Sequence, residues 1–156
     1  MKTLNNTKIS LIILLVILAG GVMTQVYSHC QIPCGIYDDP ARLKMISEHA
    51  MTIEKSMKQI VTLSETQPEN KNQIVRWVNN KEQHANALSE IITDYFLSQR
   101  IKPADADSPQ YKNYIRQLTL LHQMLQTSMK CKQTTDLSQV EKLRTLLTDF
   151  SVAYQG

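Results

Sequence analysis

Glycine and proline are scarce in this chain, which has four Gly and five Pro among its 156 residues. Proteins built from many short strands need turn residues at frequent intervals, so this scarcity disfavours sheets and favours long helices. Aromatic residues are also few, and no stretch alternates polar and apolar residues with the period of a strand. The length allows one domain with a hydrophobic core, and the sequence therefore predicts an all-α protein.

An excess of charge of one sign is missing as well. The chain has 17 Lys and Arg and 14 Asp and Glu, and residues 1–28 contain two of the basic residues and no acidic one. The remainder, 29–156, thus has 15 basic and 14 acidic side chains, which gives no electrostatic basis for binding nucleic acid. Cysteine is limited to three residues, two of them close together. An odd, clustered count favours a site plus a packing residue over a disulfide framework, and Cys131 is expected to be buried.

Residues 1–28 have the pattern of an export signal that is removed from the mature protein. Two lysines precede an apolar stretch over 9–19, which is shorter than the ~20 residues that a membrane-spanning helix needs. Val26 and Ser28 are typical of the residues before a signal-peptidase cleavage point. We predict cleavage between Ser28 and His29, and export to a periplasm, a lumen or the cell exterior. A retained membrane anchor is the less favoured alternative, so membrane contact is expected only transiently, through the signal peptide.

Four segments of 38–156 repeat apolar residues at spacings of three and four, as amphipathic helices do. Asp39 is expected to cap the first helix, with Pro40 at the first helical position. The second helix is expected from about Pro68 to Ser98, and Ser108-Pro109 repeats the cap-then-proline pattern before the third. The predicted buried positions, helix by helix, are Leu43, Ile46, Ala50, Ile53, Met57, Ile60 and Ser64; Ile74, Val78, Ala85, Leu88, Ile92 and Tyr95; Tyr111, Ile115, Leu118, Leu121, Leu125 and Met129; and Val140, Leu143, Leu147, Phe150 and Tyr154.

Four such helices with short connections bury their apolar faces best as an antiparallel up-down four-helix bundle. The methionines of the first helix lie at core spacing and are interpreted as packing residues. The remaining histidines, His49, His84 and His122, are spread over three predicted helices without metal-ligand spacing within any one of them. A bundle of this kind is a scaffold and implies no activity by itself.

Residues 29–37, His-Cys-Gln-Ile-Pro-Cys-Gly-Ile-Tyr, concentrate the reactive groups of the chain. As a mature N-terminus, His29 offers an amine and an imidazole, Cys30 a thiolate and a deprotonatable amide nitrogen, and Cys34 a second thiolate. This mixed nitrogen and sulfur set suits a thiophilic transition metal that tolerates planar geometry. In an exported protein the two cysteines can instead form a disulfide. A helical binding module with a Cys30–Cys34 disulfide and a metal carrier without turnover are therefore alternatives to an enzyme.

The motif His-Cys-x-x-Pro-Cys-Gly-x-Tyr-Asp, here residues 29–38, resembles the N-terminus of the nickel-dependent superoxide dismutases. The likeness extends through 39–42 and, in the second helix, to 76–85 and 94–96. It implies a four-helix bundle with an N-terminal nickel-binding hook that assembles as a homohexamer. It also implies the disproportionation of superoxide to dioxygen and hydrogen peroxide at one nickel(II/III) ion per subunit.

Carried over residue by residue, the resemblance implies that His29, Cys30 and Cys34 hold the nickel. It also implies that the imidazole of His29 is an axial ligand in the oxidised state. Tyr37 matches a family tyrosine at the substrate approach, and Tyr95 matches a second tyrosine that supports the hook.

Pro33 takes the place of the proline in the family's hook. Gln31 departs from the family, which is best known with an acidic residue there. From the residues alone, Tyr37 is equally compatible with loop packing, and a tyrosine on a core face such as Tyr95 more often packs with a bonded hydroxyl.

Overall fold

The computed structural model describes Pro33 and residues 35–155, which are all-helical and contain no strand. Helix α1 is Asp39–Thr66 and α2 is Lys71–Glu90, and a π-helix, Ile91–Arg100, continues α2 without a break. Helix α3 is Tyr111–Gln133 and α4 is Ser138–Gln155. The prediction of an all-α chain with four main helices is confirmed. No helix in these described residues is long and apolar enough to cross a membrane.

The four helices enclose one hydrophobic core. Helix α1 packs on α2 and α4, and α3 packs on the same two helices. The regular apolar repeats of α1 and α4 predicted most of their buried faces, but Ser64 is exposed and Ile60 and Tyr154 are only half-buried. The members that the structure buries are Leu43, Ile46, Ala50, Ile53 and Met57 in α1 and Val140, Leu143, Leu147 and Phe150 in α4.

The predicted core face of α3 is partly wrong. Tyr111, Ile115 and Met129 are exposed, whereas Leu121 is fully buried. The true buried face includes polar residues, which a search for apolar repeats passes over: the Ser128 hydroxyl, fully buried, donates to the Ala85 carbonyl of α2 at 3.0 Å. The remaining residues of that face are Leu120, Met124, Thr127 and Cys131.

Two further packing predictions have opposite outcomes. Of the α1 methionines, only Met57 is buried, and Met45 and Met51 are exposed, so the packing interpretation is wrong for those two. Cys131 is buried as predicted, and its burial raises the pKa of the thiol to about 11. Lys81, next to it in the core, opposes that rise.

The predicted helix starts are wrong by one to three residues. Asp38, and not Asp39, caps α1: its Oδ1 accepts a hydrogen bond from the Ala41 amide at 3.0 Å. Helix α2 starts at Lys71, after a turn that contains Pro68 and in which the Asn70 amide donates to the Gln67 carbonyl at 2.9 Å. Ser108 is not a cap either, because its carbonyl accepts from the Tyr111 amide at 3.1 Å and so closes a turn before α3 begins.

Candidate active site

The end of the predicted hook is a tight turn. The Ile36 amide donates to the Pro33 carbonyl at 2.8 Å, which closes a four-residue turn with Gly35 in third place. Gly35 has a φ of +81°, the value that the third position of a type II turn requires and that residues with a Cβ rarely adopt. The Pro and Gly of the motif therefore serve the backbone of this turn, with Cys34 between them in the sequence.

The predicted nickel ligands His29, Cys30 and Cys34 lie outside the described residues, so ligation by them stays a prediction. The structure does describe the three other predicted site residues. Pro33 is half-buried, Tyr37 is 40% exposed and Tyr95 is buried, with 3% exposure. The Tyr37 and Tyr95 rings meet edge to face with their centroids 5.8 Å apart. The two tyrosines named from the resemblance are thus neighbours, although 58 positions separate them in sequence.

The carboxylate of Asp39 is the centre of a polar cluster at the start of α1. Arg100 binds it through two nitrogens, Nε to Oδ1 at 2.8 Å and Nη2 to Oδ2 at 2.7 Å. The Tyr95 hydroxyl donates to Oδ1 at 2.6 Å and the Tyr154 hydroxyl donates to Oδ2 at 2.9 Å. We call Asp39, Tyr95, Arg100 and Tyr154 the Asp39 cluster. It joins the first residue of α1, the π-helix and the end of α4.

Hydrogen bonding and burial fix the charges of the Asp39 cluster. The hydrogen bonds from Arg100 are the main cause that lowers the pKa of Asp39 to about 2, against the opposing effect of burial. Burial, and then the hydrogen bond to the carboxylate, raises the pKa of Tyr95 to about 12. The cluster at neutral pH is therefore one anion, one cation and two neutral phenols. A phenol with so high a pKa keeps its proton, so Tyr95 suits support and not proton supply.

The π-helix explains how two residues of one segment reach one carboxylate. Its bonds link residues five apart, as in the Ile101 amide that donates to the Phe96 carbonyl at 2.8 Å. Residues five apart, such as Tyr95 and Arg100, therefore lie on adjacent turns of the same face. In an α-helix the neighbours on one face are three or four apart. Apolar periodicity predicted a plain helix here and missed this segment.

Tyr37 packs against the cluster while its ring stays accessible. The guanidinium carbon of Arg100 lies 4.4 Å from the centroid of the Tyr37 ring, within the range of a cation–π contact. Arg42 of α1 lies 5.2 Å from the centroid of the Tyr95 ring. Tyr37 is thus held from one side by a charged side chain that is itself fixed by Asp39.

A cavity of about 280 Å³ lies next to the turn. Pro33 is part of its wall, together with Arg42 and His49 of α1 and Asp94 and Tyr95 of the π-helix. Its walls carry both signs of charge, so the cavity is not a one-sign path for an anion.

The structure also joins two histidines that sequence spacing left apart. Nδ1 of His49 lies 2.8 Å from Nδ1 of His84, and the ring centroids are 5.0 Å apart. The rings therefore lie nearly end to end, with one nitrogen donating to the other, and their lone pairs do not converge on a third point. Within the described residues, no group of three or more His, Cys, Asp and Glu side chains is arranged to hold a metal ion.

Comparison with known proteins identifies the class. The family model for nickel-containing superoxide dismutase matches residues 24–156, which include the whole 29–38 motif and all four helices. The searches of curated proteins and of solved structures found no match. Because the family match covers most of the chain, this protein belongs to the nickel-containing superoxide dismutase family. It is therefore an oxidoreductase that acts on superoxide and carries a nickel cofactor in each subunit.

The residues present fit that cofactor. Two thiols with nitrogen donors beside them form the only part of the sequence with a soft, compact ligand set, and Cys131, the remaining thiol, is buried in the core. The turn closed by Pro33 and Ile36 follows Cys30 and encloses Cys34 in sequence, and it bends the backbone at the end of the motif segment 29–37.

Proposed function

We propose that this enzyme converts superoxide to dioxygen and hydrogen peroxide at a mononuclear nickel site formed by the mature N-terminus. Family membership is the observation that carries the activity, and the donor set supports the location. The residues that would hold nickel are His29, through its amine and imidazole, Cys30, through its amide nitrogen and thiolate, and Cys34, through its thiolate. When bound, nickel supplies a centre that alternates between two oxidation states, which dismutation requires.

The described residues would support this site in two ways. The turn that contains Gly35 would shape the hook, and the Asp39 cluster would hold Tyr37 at its base. Tyr37 is the accessible tyrosine of the pair, so we assign it the position beside incoming superoxide and the water that delivers protons. Tyr95, buried and bonded to Asp39, would anchor the hook from below.

The same proposal extends to processing and assembly. Residues 1–28 would be removed as a signal peptide, leaving a nickel hook over 29–37 and an antiparallel up-down bundle over 38–156. The closed ring of packing among the four helices supports that arrangement. Family resemblance suggests a homohexamer, and apolar side chains exposed on several helices are compatible with further burial in one; they are Met51, Val75, Ile115, Met129 and Val152.

The deciding experiment combines processing, metal content and turnover on the exported protein. We expect a mature chain that begins at His29, with nickel bound and superoxide consumed. Cys30→Ser or Cys34→Ser should abolish both nickel retention and activity. Cys131→Ala is the matched control, because it removes the buried core thiol, which is not part of the 29–38 motif, and should leave nickel content unchanged.

Three results would contradict the proposal in different ways. A mature N-terminus other than His29 would remove the amine ligand. A Cys30–Cys34 disulfide in a protein that stays inert after reduction and nickel loading would favour a binding module. Nickel retention without superoxide consumption would favour a metal carrier.

A further inference from the structure

We infer that Arg100 is a positioning residue of this enzyme, which holds Tyr37 and the adjoining turn in place. The nitrogens at the edge of its guanidinium group bind Asp39, and the face of the same group contacts the Tyr37 ring. The inference rests on the proposed function for its effect on turnover. The contacts that carry it are the two hydrogen bonds of 2.8 and 2.7 Å to Asp39 and the 4.4 Å approach to the Tyr37 ring.

Arg100 makes one of the two ring contacts between the accessible tyrosine and the rest of the described fold. Tyr37 precedes α1 and is 40% exposed, and its second ring contact is the edge-to-face approach to the Tyr95 ring. Arg100 and Tyr95 are in turn fixed by the same carboxylate. A change in Arg100 therefore removes one of the two ring contacts of Tyr37 directly and loosens the anchor of the second.

The charge of Arg100 is already neutralised by its partner. The Arg100 and Asp39 side chains are 27% and 21% exposed and form a two-point ion pair. Arg100 is therefore a poor candidate for a cation that attracts superoxide from solution. The observed contacts depend on its planar guanidinium group, which can form two parallel hydrogen bonds to a carboxylate and which lysine lacks.

Tyr154, near the end of α4, also helps to hold the Asp39 carboxylate in place. Its hydroxyl binds the second carboxylate oxygen of Asp39, and its ring meets the Phe96 ring of the π-helix with centroids 5.4 Å apart. The last turns of α4 thus brace the carboxylate on the side away from Tyr95. Removing only this hydroxyl should loosen Asp39 less than removing Arg100, because the ion pair remains.

The test compares Arg100→Lys, Arg100→Met and Tyr154→Phe in the processed, nickel-loaded protein. Arg144→Met is the matched control, since Arg144 makes another ion pair between helices, with Glu54, far along the chain from the hook. We expect both Arg100 variants to retain nickel but to show an altered electron paramagnetic resonance spectrum of the oxidised metal. Their kcat/KM should fall by roughly tenfold to a hundredfold, since a misplacement of about 1 Å can cost about a hundredfold. Tyr154→Phe should show a smaller fall, and Arg144→Met none.

Arg100→Lys separates positioning from electrostatic steering. It keeps the positive charge and loses the planar guanidinium group. A positioning role therefore predicts a fall in kcat/KM close to that of Arg100→Met at every salt concentration. Normal turnover in Arg100→Lys, with a defect in Arg100→Met that disappears at high salt, would overturn the inference in favour of steering. If the Arg100 variants lose only as much thermal stability as Arg144→Met, with an unchanged spectrum and kcat/KM, the inference is overturned and Arg100 only stabilises the fold.

Amide hydrogen exchange in the metal-free protein gives a readout that does not depend on the proposed function. The Ile36 amide, which closes the turn, should exchange faster in both Arg100 variants and at the wild-type rate in Arg144→Met. Unchanged exchange would overturn the inference even if the enzyme is active. Faster exchange of the Ile36 amide in variants of a protein that never binds nickel would still support the role of Arg100 in positioning the turn, and it would overturn only the proposed nickel site.

Discussion

Asp39→Asn is the substitution that tests the Asp39 cluster most directly. It keeps the size of the side chain, removes the negative charge and replaces one acceptor oxygen with an NH₂ donor, which faces Arg100 and one of the two tyrosine hydroxyls in either orientation. Breaking a fully buried ion pair by removing one partner costs roughly 3–5 kcal/mol. Here the side chains are 27% and 21% exposed, so water replaces part of the lost interaction. We expect the free energy of unfolding at pH 7 to fall by about 2 kcal/mol.

The pH dependence of stability gives an independent estimate of the same contribution. The pKa of Asp39 is lowered from 3.8 to about 2 in the folded protein, so the unfolded chain binds more protons between these values. The stabilisation by Asp39 is therefore complete above about pH 5 and is lost as pH falls from there through the folded-state value. A shift of this size corresponds to roughly 2 kcal/mol before solvent screening and about 1–2 kcal/mol after it.

Urea unfolding at pH 7 and at several points between pH 5 and pH 2 measures both quantities. Wild type should lose stability steeply over the acid range, and Asp39→Asn should lose less there because its contribution is already absent. Asp38→Asn is the matched control: it alters the helix cap beside Asp39 and should leave the ion pair in place. Parallel acid profiles for wild type and Asp39→Asn would refute the assignment of the low pKa to this cluster.

Three further substitutions address other parts of the chain. Burial lowers the pKa of His49, so the wild-type protein should lose stability as pH falls below about 6.5, and His49→Gln should flatten that slope in urea unfolding at pH 7 and 5. Lys81, 4% exposed, donates to the carbonyls of Lys132 and Thr134 at the end of α3, so Lys81→Met should cost about 1–3 kcal/mol in the same assay. His29→Gln should retain some nickel, since the other proposed ligands remain, and should lose most turnover; equal turnover would contradict the proposed axial role of the imidazole.

The sequence predicted best where one physical rule acted alone. In α1 and α4, apolar residues repeat at helical spacing with little interruption, and the structure buries nine of the twelve predicted positions. In α3 the rule failed, because Ser128 takes a core position by donating to the Ala85 carbonyl of another helix. A polar residue can be assigned to a core only when its partner is known, and that partner is 43 positions away.

The contact between His49 and His84 could not be predicted from the sequence for a related reason. Each residue lies on a different helix, and their 2.8 Å approach depends on how α1 is aligned along α2. Side-chain spacing within one helix carries no information on that alignment. The π-helix is a similar case, since Tyr95 and Arg100 of this segment both bind Asp39, a partner on another helix that local spacing does not reveal.

The adjacent carboxylates Asp38 and Asp39 show most clearly what decides between equivalent residues. Either can cap a helix, and the sequence favoured Asp39 because proline follows it. Asp38 precedes the helix with non-helical φ and ψ, and its side chain reaches the Ala41 amide, whereas Asp39, the first helical residue, contacts Arg100. The Asp38 carboxylate accepts from the Ala41 amide, which leaves the Asp39 carboxylate for the ion pair. The start of α1 thus places the Asp39 carboxylate beside Arg100, a partner 61 positions later that local sequence rules do not reveal.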